Sequence, residues 1–414
     1  MWYRIICLML LCPLTASADE SALTMDHAID QAQREAPQLA ASTAMLEGAT
    51  AVAPSAGRLP DPELVTAVDK LPVTTADKFS FTRDFMTMRK IGVMQTFPNH
   101  EKRRLQSEQA EGEIAVARGE LRRTRFDTAR AVAEAWIASA VAEESLARLR
   151  SLKPTTQLQA SAGRAALSSG RASAAEALAT QTLDANLDDR ILSFEQDAQM
   201  KRAELGRWTG AAADRPLAAI PTDRELGQSM DSLVDTVAQH ARLTPLVAQL
   251  DVARTEVALA RAEKRPDWSA ELNYSQRGPD FSNLVSLEFR IGLPLFPRNR
   301  QNPRITEKLA AIRAQEAERD VEIRVQTAQV RSALVEWRIG RERLQHYATD
   351  LLPFQRDRAR TSLASYSAGR GDLRSALDAL SEEIATQLDD VQLQGSVARA
   401  WVFLHLLQDT GNAK

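Results

Sequence analysis

The chain has 414 residues, 52 lysines and arginines against 55 acidic side chains, and a net charge of −3. That balance offers nucleic acid no basic surface. Glycine is sparse at 17, aromatics make up 5%, and alanine, leucine, glutamate, glutamine and arginine dominate, which excludes two or three ordinary domains in favour of long helices.

Residues 1–18 read as a secretory signal peptide. Arg4 supplies the positive start, Ile5 to Leu14 the short apolar run, and Ala16-Ser17-Ala18 the small-residue cleavage site. Both cysteines, Cys7 and Cys12, fall inside it, so the mature chain is expected to have no disulfide, thiolate or cysteine ligand. Leu11 stands where a lipoprotein signal wants a small residue, which argues against lipidation. No later stretch approaches eighteen apolar residues, so no transmembrane helix is expected. Strands that cross an outer membrane leave a much weaker signal.

From Asp19 onward the chain is written twice. Ala36-Pro37 returns as Thr244-Pro245, Leu59-Pro60-Asp61 as Arg265-Pro266-Asp267, Phe97-Pro98 as Phe296-Pro297, and Gly170-Arg171 as Gly369-Arg370. Four landmark pairs in one order, at offsets of 208, 206, 199 and 199, are hard to attribute to chance. The expected division is a first repeat over 19–209, a linker over 210–229 carrying Gly210, Pro216, Pro221 and Gly227, and a second repeat over 230–410. Each repeat should hold a helix, a strand pair (about 62–97 and about 267–294) and a long helical hairpin (about 100–209 and about 299–410).

The hairpins require rods. From His100 to Ala162 the only proline is Pro154, and from Pro303 to Ser367 the only interruption is Pro353. Sixty helical residues span about 90 Å, so such a helix must pack along other long helices. Apolar residues recur at three and four spacing through Ile305, Leu309 and Ile312, then Val321 and Val325, then Val330, Leu334 and Trp337. The phase shifts between blocks, which suits a helix touching a neighbour on either side of a closed wall. Ala129, Ala131, Ala133, Ala135, Ala138 and Ala140 permit close approach.

The strand text alternates. Trp268, Ala270, Leu272 and Tyr274 interleave with Ser269, Glu271, Asn273 and Ser275; Val285, Leu287, Phe289, Ile291 and Leu293 interleave with Ser286, Glu288, Arg290 and Gly292. Each run has the length that crosses a bilayer when tilted. Glu271, Glu288 and Arg290 are costly against lipid and comfortable in a watery lumen. The first copy alternates more loosely. Phe79, Phe81 and Phe85 share it with Arg83, Arg89 and Lys90, and a bulge or an early exit from the membrane is expected near Arg89. Four strands cannot close a barrel, and an open edge in lipid is forbidden, so the chain must oligomerise.

At this point the chain resembles the TolC family of outer-membrane efflux channels. The resemblance covers nearly all of the mature chain. It rests on Leu23-Thr24-Met25-Asp26-His27-Ala28, on the Pro60 and Pro266 breaks, on Pro294-Leu295-Phe296, and above all on the string from Tyr366 through Gly369, Asp372 and Leu373 to Asp378-Ala379. The resemblance implies a mainly α fold with a minor β part. Its duplicated coiled-coil helices would form a periplasmic α-barrel, and its four strands would join a trimeric twelve-stranded outer-membrane β-barrel. It also implies docking to a periplasmic adaptor (a membrane fusion protein) and an inner-membrane pump. In such channels a tyrosine, an arginine and an aspartate near the tip hold the aperture shut. Tyr366 and Asp378 match that pattern; the arginine's place is taken by Gly371, flanked by Arg370 and Arg374.

The aperture or lumen candidates are therefore Tyr366, Asp372, Arg374 and Asp378, and the adaptor-docking candidates are Gly170, Arg171, Gly369 and Arg370. Three Asp378 carboxylates in a narrow lumen would favour cations. The words Arg83-Asp84-Phe85-Met86-Thr87-Met88 and Ile91-Gly92-Val93-Met94-Gln95 resemble the heavy-metal branch, the CzcC/CusC-like members. Met86, Met88 and Met94 read as packing residues ahead of soft metal ligands. The five histidines (His27, His100, His240, His346 and His405) show no metal-binding spacing and the glycines no phosphate loop, so no catalytic residue, metal centre or cofactor is expected. The function expected is passive conduction, heavy-metal cations first, from an RND-type pump to the exterior. The rivals are a duct for organic compounds or type I secretion, a periplasmic adaptor, and a structural coiled-coil protein.

Overall fold

The computed structural model describes residues 22–227, 233, 237 and 240–412, with side chains to Leu407; the expected signal peptide at 1–18 lies outside the described residues. The chain runs α1 (Met25–Glu35), α2 (Pro37–Val52), β1 (Glu63–Asp69), β2 (Met88–Phe97), α3 (His100–Ser168) and α4 (Ala174–Thr209), then α5 (Thr244–Ala262), β3 (Trp268–Gln276), β4 (Leu284–Ile291), α6 (Gln301–His346), α7 (Leu352–Ser367) and α8 (Leu373–Asn412). It is mainly α with a minor β part, and the order of helix, strand pair and long helical hairpin occurs twice. Among the described residues no helix is long and apolar enough to cross a membrane.

Local chemistry sets the boundaries. Thr24 caps α1, its hydroxyl accepting from the His27 amide at 3.2 Å. Ala36 then turns extended because Pro37 follows, and the proline opens α2 rather than sitting inside a helix. Pro245 likewise lies in the first turn of α5. The two later prolines behave differently. Pro154 lies within the unbroken 69-residue α3. Pro353 follows a π turn at Tyr347–Leu351, which separates α6 from α7. The wider turn absorbs the hydrogen bond that a proline cannot donate.

The chain comprises two compact units. The first takes Met1–Ala36, Thr128–Gly227 and Ser332–Leu406. Its core gathers Leu23, Val132, Trp136, Ile137, Leu205 and Val391 among others. Trp136 is fully buried and donates its indole N–H to the Leu23 carbonyl at 2.9 Å. Ala129, Ala133, Ala135 and Ala140 are buried, so the alanine-rich stretch of α3 does serve close helix contact. Several of the described residues expected as a linker are packed here. Leu217 bridges to Leu23, Ile220 and Leu226 lie against the core, and Trp401 donates its indole N–H to the Glu225 carbonyl at 3.2 Å. On α8, Gln387 and Gln394 donate to the buried Glu383 and Asp390 at 3.1 and 2.8 Å, and burial pushes both carboxyls above the usual range.

The second unit takes Pro37–Asp127, Gln228–Arg331 and Leu407–Lys414, and holds the sheet with the helix segments that feed it. Arg242 pairs with Asp127 at 2.7 Å and Lys308 with Glu256 at 2.8 Å. Arg103 donates to the Gly57 carbonyl at 2.7 Å, fixing the turn after α2. At Gly119 a β-carbon would stand 2.8 Å from the backbone N and Cα of Pro245, so α3 and the start of α5 meet backbone to backbone.

Gly119→Ala is expected to destabilise the protein by about 1–3 kcal/mol, since the obstructing atoms are main chain and must shift; thermal unfolding in detergent measures it. Glu383→Gln should raise the midpoint of thermal unfolding at neutral pH. The folded state raises this carboxyl's pKa, so its charged form subtracts stability above that value, and the deficit disappears as pH falls through it. The gain from Glu383→Gln should therefore vanish near pH 4, and a gain independent of pH would refute this account.

Candidate functional site: the polar sheet face and the hairpin turns

The sheet has the order β1-β2-β3-β4, antiparallel throughout, so β2 against β3 joins the two repeats. One row across it reads Leu64, Val93, Leu272 and Leu287; the next reads Thr66, Ile91, Tyr274 and Val285. These apolar side chains are exposed, Val285 at 71% and Leu64 at 69%. Rows on the opposite face read Glu63, Met94, Glu271 and Glu288, then Val65, Gly92, Asn273 and Ser286. Here Glu271 is 2% exposed and Asn273 1%. The sheet thus exposes its apolar rows, while on the polar face the β3 residues Glu271 and Asn273 are sheltered and Glu288 and Arg290 of β4 stay exposed, the inverse of a sheet packed on a globular core.

All three lumen candidates lie on that polar face. Glu271 and Glu288 stand directly opposite each other, and Arg290 reaches both, at 2.5 Å and 2.9 Å. Asn273 adds a hydrogen bond to Glu271 at 2.7 Å. One guanidinium therefore bridges two facing carboxylates and offsets part of their repulsion, leaving the trio one negative charge. Gly92 lets Asn273 lie over the neighbouring strand, since a β-carbon there would stand 2.0 Å from Asn273 Oδ1.

The first copy departs from expectation in two ways. Arg89 and Lys90 pair in continuous register with Val68 and Ala67, so no bulge forms at Arg89. Phe79, Phe81 and Phe85 lie in the loop between β1 and β2 rather than in a strand, and all three are exposed. Met86 is in that loop, while Met88 and Met94 are six residues apart on β2, about 20 Å at strand rise. The three do not converge. Met94 Sδ instead accepts from Arg290 at 3.1 Å.

The hairpin turns repeat almost atom for atom. Gly170 and Gly369 carry φ of +68° and +69°. The Gly170 amide donates to Leu167 O at 3.0 Å and Arg171 to Ala166 O at 2.8 Å; Gly369 donates to Tyr366 O at 2.9 Å and Arg370 to Ser365 O at 3.0 Å. Each is a Schellman ending, with glycine in the left-handed position that a side chain disfavours. The returning helices are capped alike. The Ser173 hydroxyl accepts from the Glu176 amide at 3.2 Å, and the Asp372 carboxylate from the Ser375 amide at 3.1 Å. Asp372 thus caps the N-terminus of α8. Tyr366 sits half-buried in the last turn of α7, and Arg374 and Asp378 are exposed in the first turns of α8. Among the described residues no hydrogen bond or ion pair joins these three to one another within the chain. Arg171 and Arg370 are exposed at the turns.

Sequence reading missed two links in the hairpins. Lys153 on α3 pairs with Asp184 and Asp188 on α4, both at 2.7 Å, while Thr156 donates to Asp184 at 2.7 Å. The Lys153 ammonium holds the Asp184 carboxyl below the usual range. Arg358 on α7 pairs with Glu382 on α8. Partners so distant in sequence leave no local signal. Arg290→Gln is expected to leave Glu271 sheltered and unneutralised. It should lower the midpoint of thermal unfolding, and by more than Glu271→Gln does; equal shifts in the thermal midpoint would count against the pair.

A family model described as outer membrane efflux protein matches residues 233–408. No curated protein matches the sequence. Among solved structures, the outer membrane protein VceC from Vibrio cholerae aligns with TM-score 0.76 at 18% identity, covering 92% of this chain and 95% of that one. The CmeC outer membrane channel of Campylobacter jejuni aligns with TM-score 0.80 at 12% identity, covering 94% and 86%. CusC aligns with TM-score 0.78 at 15% identity, covering 92% and 91%. At such identities the likeness is one of fold, and it extends over both repeats. The second half of the chain thus matches the outer membrane efflux protein family model, and the fold across both repeats is the one these outer membrane channels share.

Proposed function

We propose that this chain is the outer-membrane exit duct of a tripartite RND-type efflux system, conducting heavy-metal cations passively from pump and adaptor to the exterior. The observation that carries the reading is the inverted sheet, with exposed apolar rows on one face, sheltered Glu271 and Asn273 on the other, and β1 and β4 each paired on one side only. Three copies would satisfy those edges by joining β4 of one to β1 of the next, giving twelve strands. In that barrel Glu271, Glu288 and Arg290 line the lumen.

The two repeats, 19–209 and 230–410, each contribute one long hairpin to a periplasmic helical wall. The turns at Gly170-Arg171 and Gly369-Arg370 are the exposed ends that an adaptor would meet. Tyr366, Asp372, Arg374 and Asp378 lie next to the second turn and would ring the aperture in a trimer, with Asp378 favouring cations. The reading assigns the chain no catalysis and no cofactor. Support for the metal cargo comes from the wording of the strand entry, Arg83 to Met88 and Ile91 to Gln95.

The test is expression with the signal segment in a Gram-negative host, followed by the mass and conductance of protein extracted from the outer membrane. A trimer that opens ion channels in planar bilayers is the expected result; a soluble monomer overturns the reading. In the same bilayers Asp378→Ala should reduce the cation-over-anion permeability ratio by roughly two- to tenfold. An unchanged ratio removes Asp378 from the lumen.

A further inference from the structure

The structure holds a cavity that conduction does not use. About 380 Å³ in volume, it lies where the strands meet the helices, between the end of α5, the segment after β4 and the first turns of α3 and α6. Six charged side chains line it. Lys102 is paired with Asp267 at 2.6 Å and Arg304 with Glu263 at 3.0 Å, so those four charges cancel. Neither Arg265 nor Arg300 lies within ion-pair distance of a carboxylate among the described residues; Arg265 interacts at longer range with Glu101, which is itself paired with Arg104. The cavity therefore carries a net charge of about +2, and the positive end of the 46-residue α6 adds to its field.

The lip of the cavity has the opposite character. Leu293 lines it, and Leu293, Leu295 and Phe296 are 68%, 70% and 68% exposed. They continue the outward apolar face of β4, where Leu287, Phe289 and Ile291 are exposed. At the same level Trp268 stacks on Phe97 with ring centroids 4.1 Å apart. Aromatic rings at the ends of membrane strands mark the depth of the headgroups. Cationic cavity and apolar lip thus lie side by side at the boundary of the apolar belt, on the side of the helices.

We infer that this cavity binds the phosphate headgroup of an anionic phospholipid of the membrane's inner leaflet, Arg265 and Arg300 holding the phosphodiester while an acyl chain lies along Leu293, Leu295 and Phe296. Guanidinium groups suit phosphate oxygens, which they can engage in bidentate fashion. Two uncancelled cations select a lipid with net negative charge over a zwitterionic one, whose ammonium would find Asp267 and Glu263 already neutralised. The inference rests on the reading of the chain as an outer-membrane channel.

The test uses the full mature protein extracted from outer membranes in a neutral detergent, titrated with dioctanoyl phosphatidylglycerol, dioctanoyl phosphatidylcholine or inorganic phosphate, with bound lipid counted by native mass spectrometry. Wild-type protein should retain phosphatidylglycerol roughly tenfold more strongly than phosphatidylcholine. Arg265→Gln with Arg300→Gln should remove that preference, and Arg265→Lys with Arg300→Lys should keep most of it. Equal retention of the two lipids, an undiminished preference in the glutamine variant, or inorganic phosphate binding as tightly as phosphatidylglycerol each overturns the site. Wild-type protein absent from the outer membrane overturns the channel reading as well. Membrane-inserted, conducting protein without a lipid preference overturns the site alone.

Discussion

The structure depends on the edges of one small sheet. Four antiparallel strands present an exposed apolar face, yet among the described residues β1 and β4 are each paired along one side only. In water such a sheet would bury its apolar face against a second layer. In lipid it can do without that layer, but its edges then have no water to satisfy them, and each unmet N–H or C=O costs several kcal/mol. Closure with further copies removes both problems at once. On the proposed reading the free edges are what call for further copies, and the buried Glu271 and Asn273 on the polar face accord with a wall around water.

The helices answer a different constraint. A helix of 69 residues has no compact core of its own and gains stability only along its flanks. The chain meets this with small residues and with distant polar links. Buried alanines on α3 and the bare backbone at Gly119 allow close approach, while Lys153 to Asp184 and Arg358 to Glu382 tie hairpin arms together. Buried carboxylates at Glu383 and Asp390 are the less comfortable consequence of long faces that must all pack, and their amide partners one turn along the helix soften it.

Duplication explains how one chain makes two such hairpins. The turns at Gly170 and Gly369 share a left-handed glycine, a pair of closing hydrogen bonds and a capped return helix. Asp372 is part of that shared machinery, since Ser173 does the same work in the first copy, so its carboxylate has a structural duty whatever it faces. Asp378 has no counterpart duty, which leaves it the better placed of the two acids for a role in conduction.

Much of this was legible before any coordinates. The sequence by itself determined the duplicated order, because proline and glycine punctuate a chain locally, and the faces of β3 and β4, because a period of two is a property of adjacent residues. Of the two features it offered near Arg89 the bulge does not form, and Phe79, Phe81 and Phe85, residue types that favour strands, occupy a loop, since neighbouring strands outweigh intrinsic preference. Only the tertiary structure decided which charges are cancelled. Arg290 between Glu271 and Glu288, Lys102 on Asp267, and Arg265 and Arg300 left over are all relations across strands or between distant helices. Charge compensation depends on distances of a few ångströms in space, and a linear pattern does not contain them.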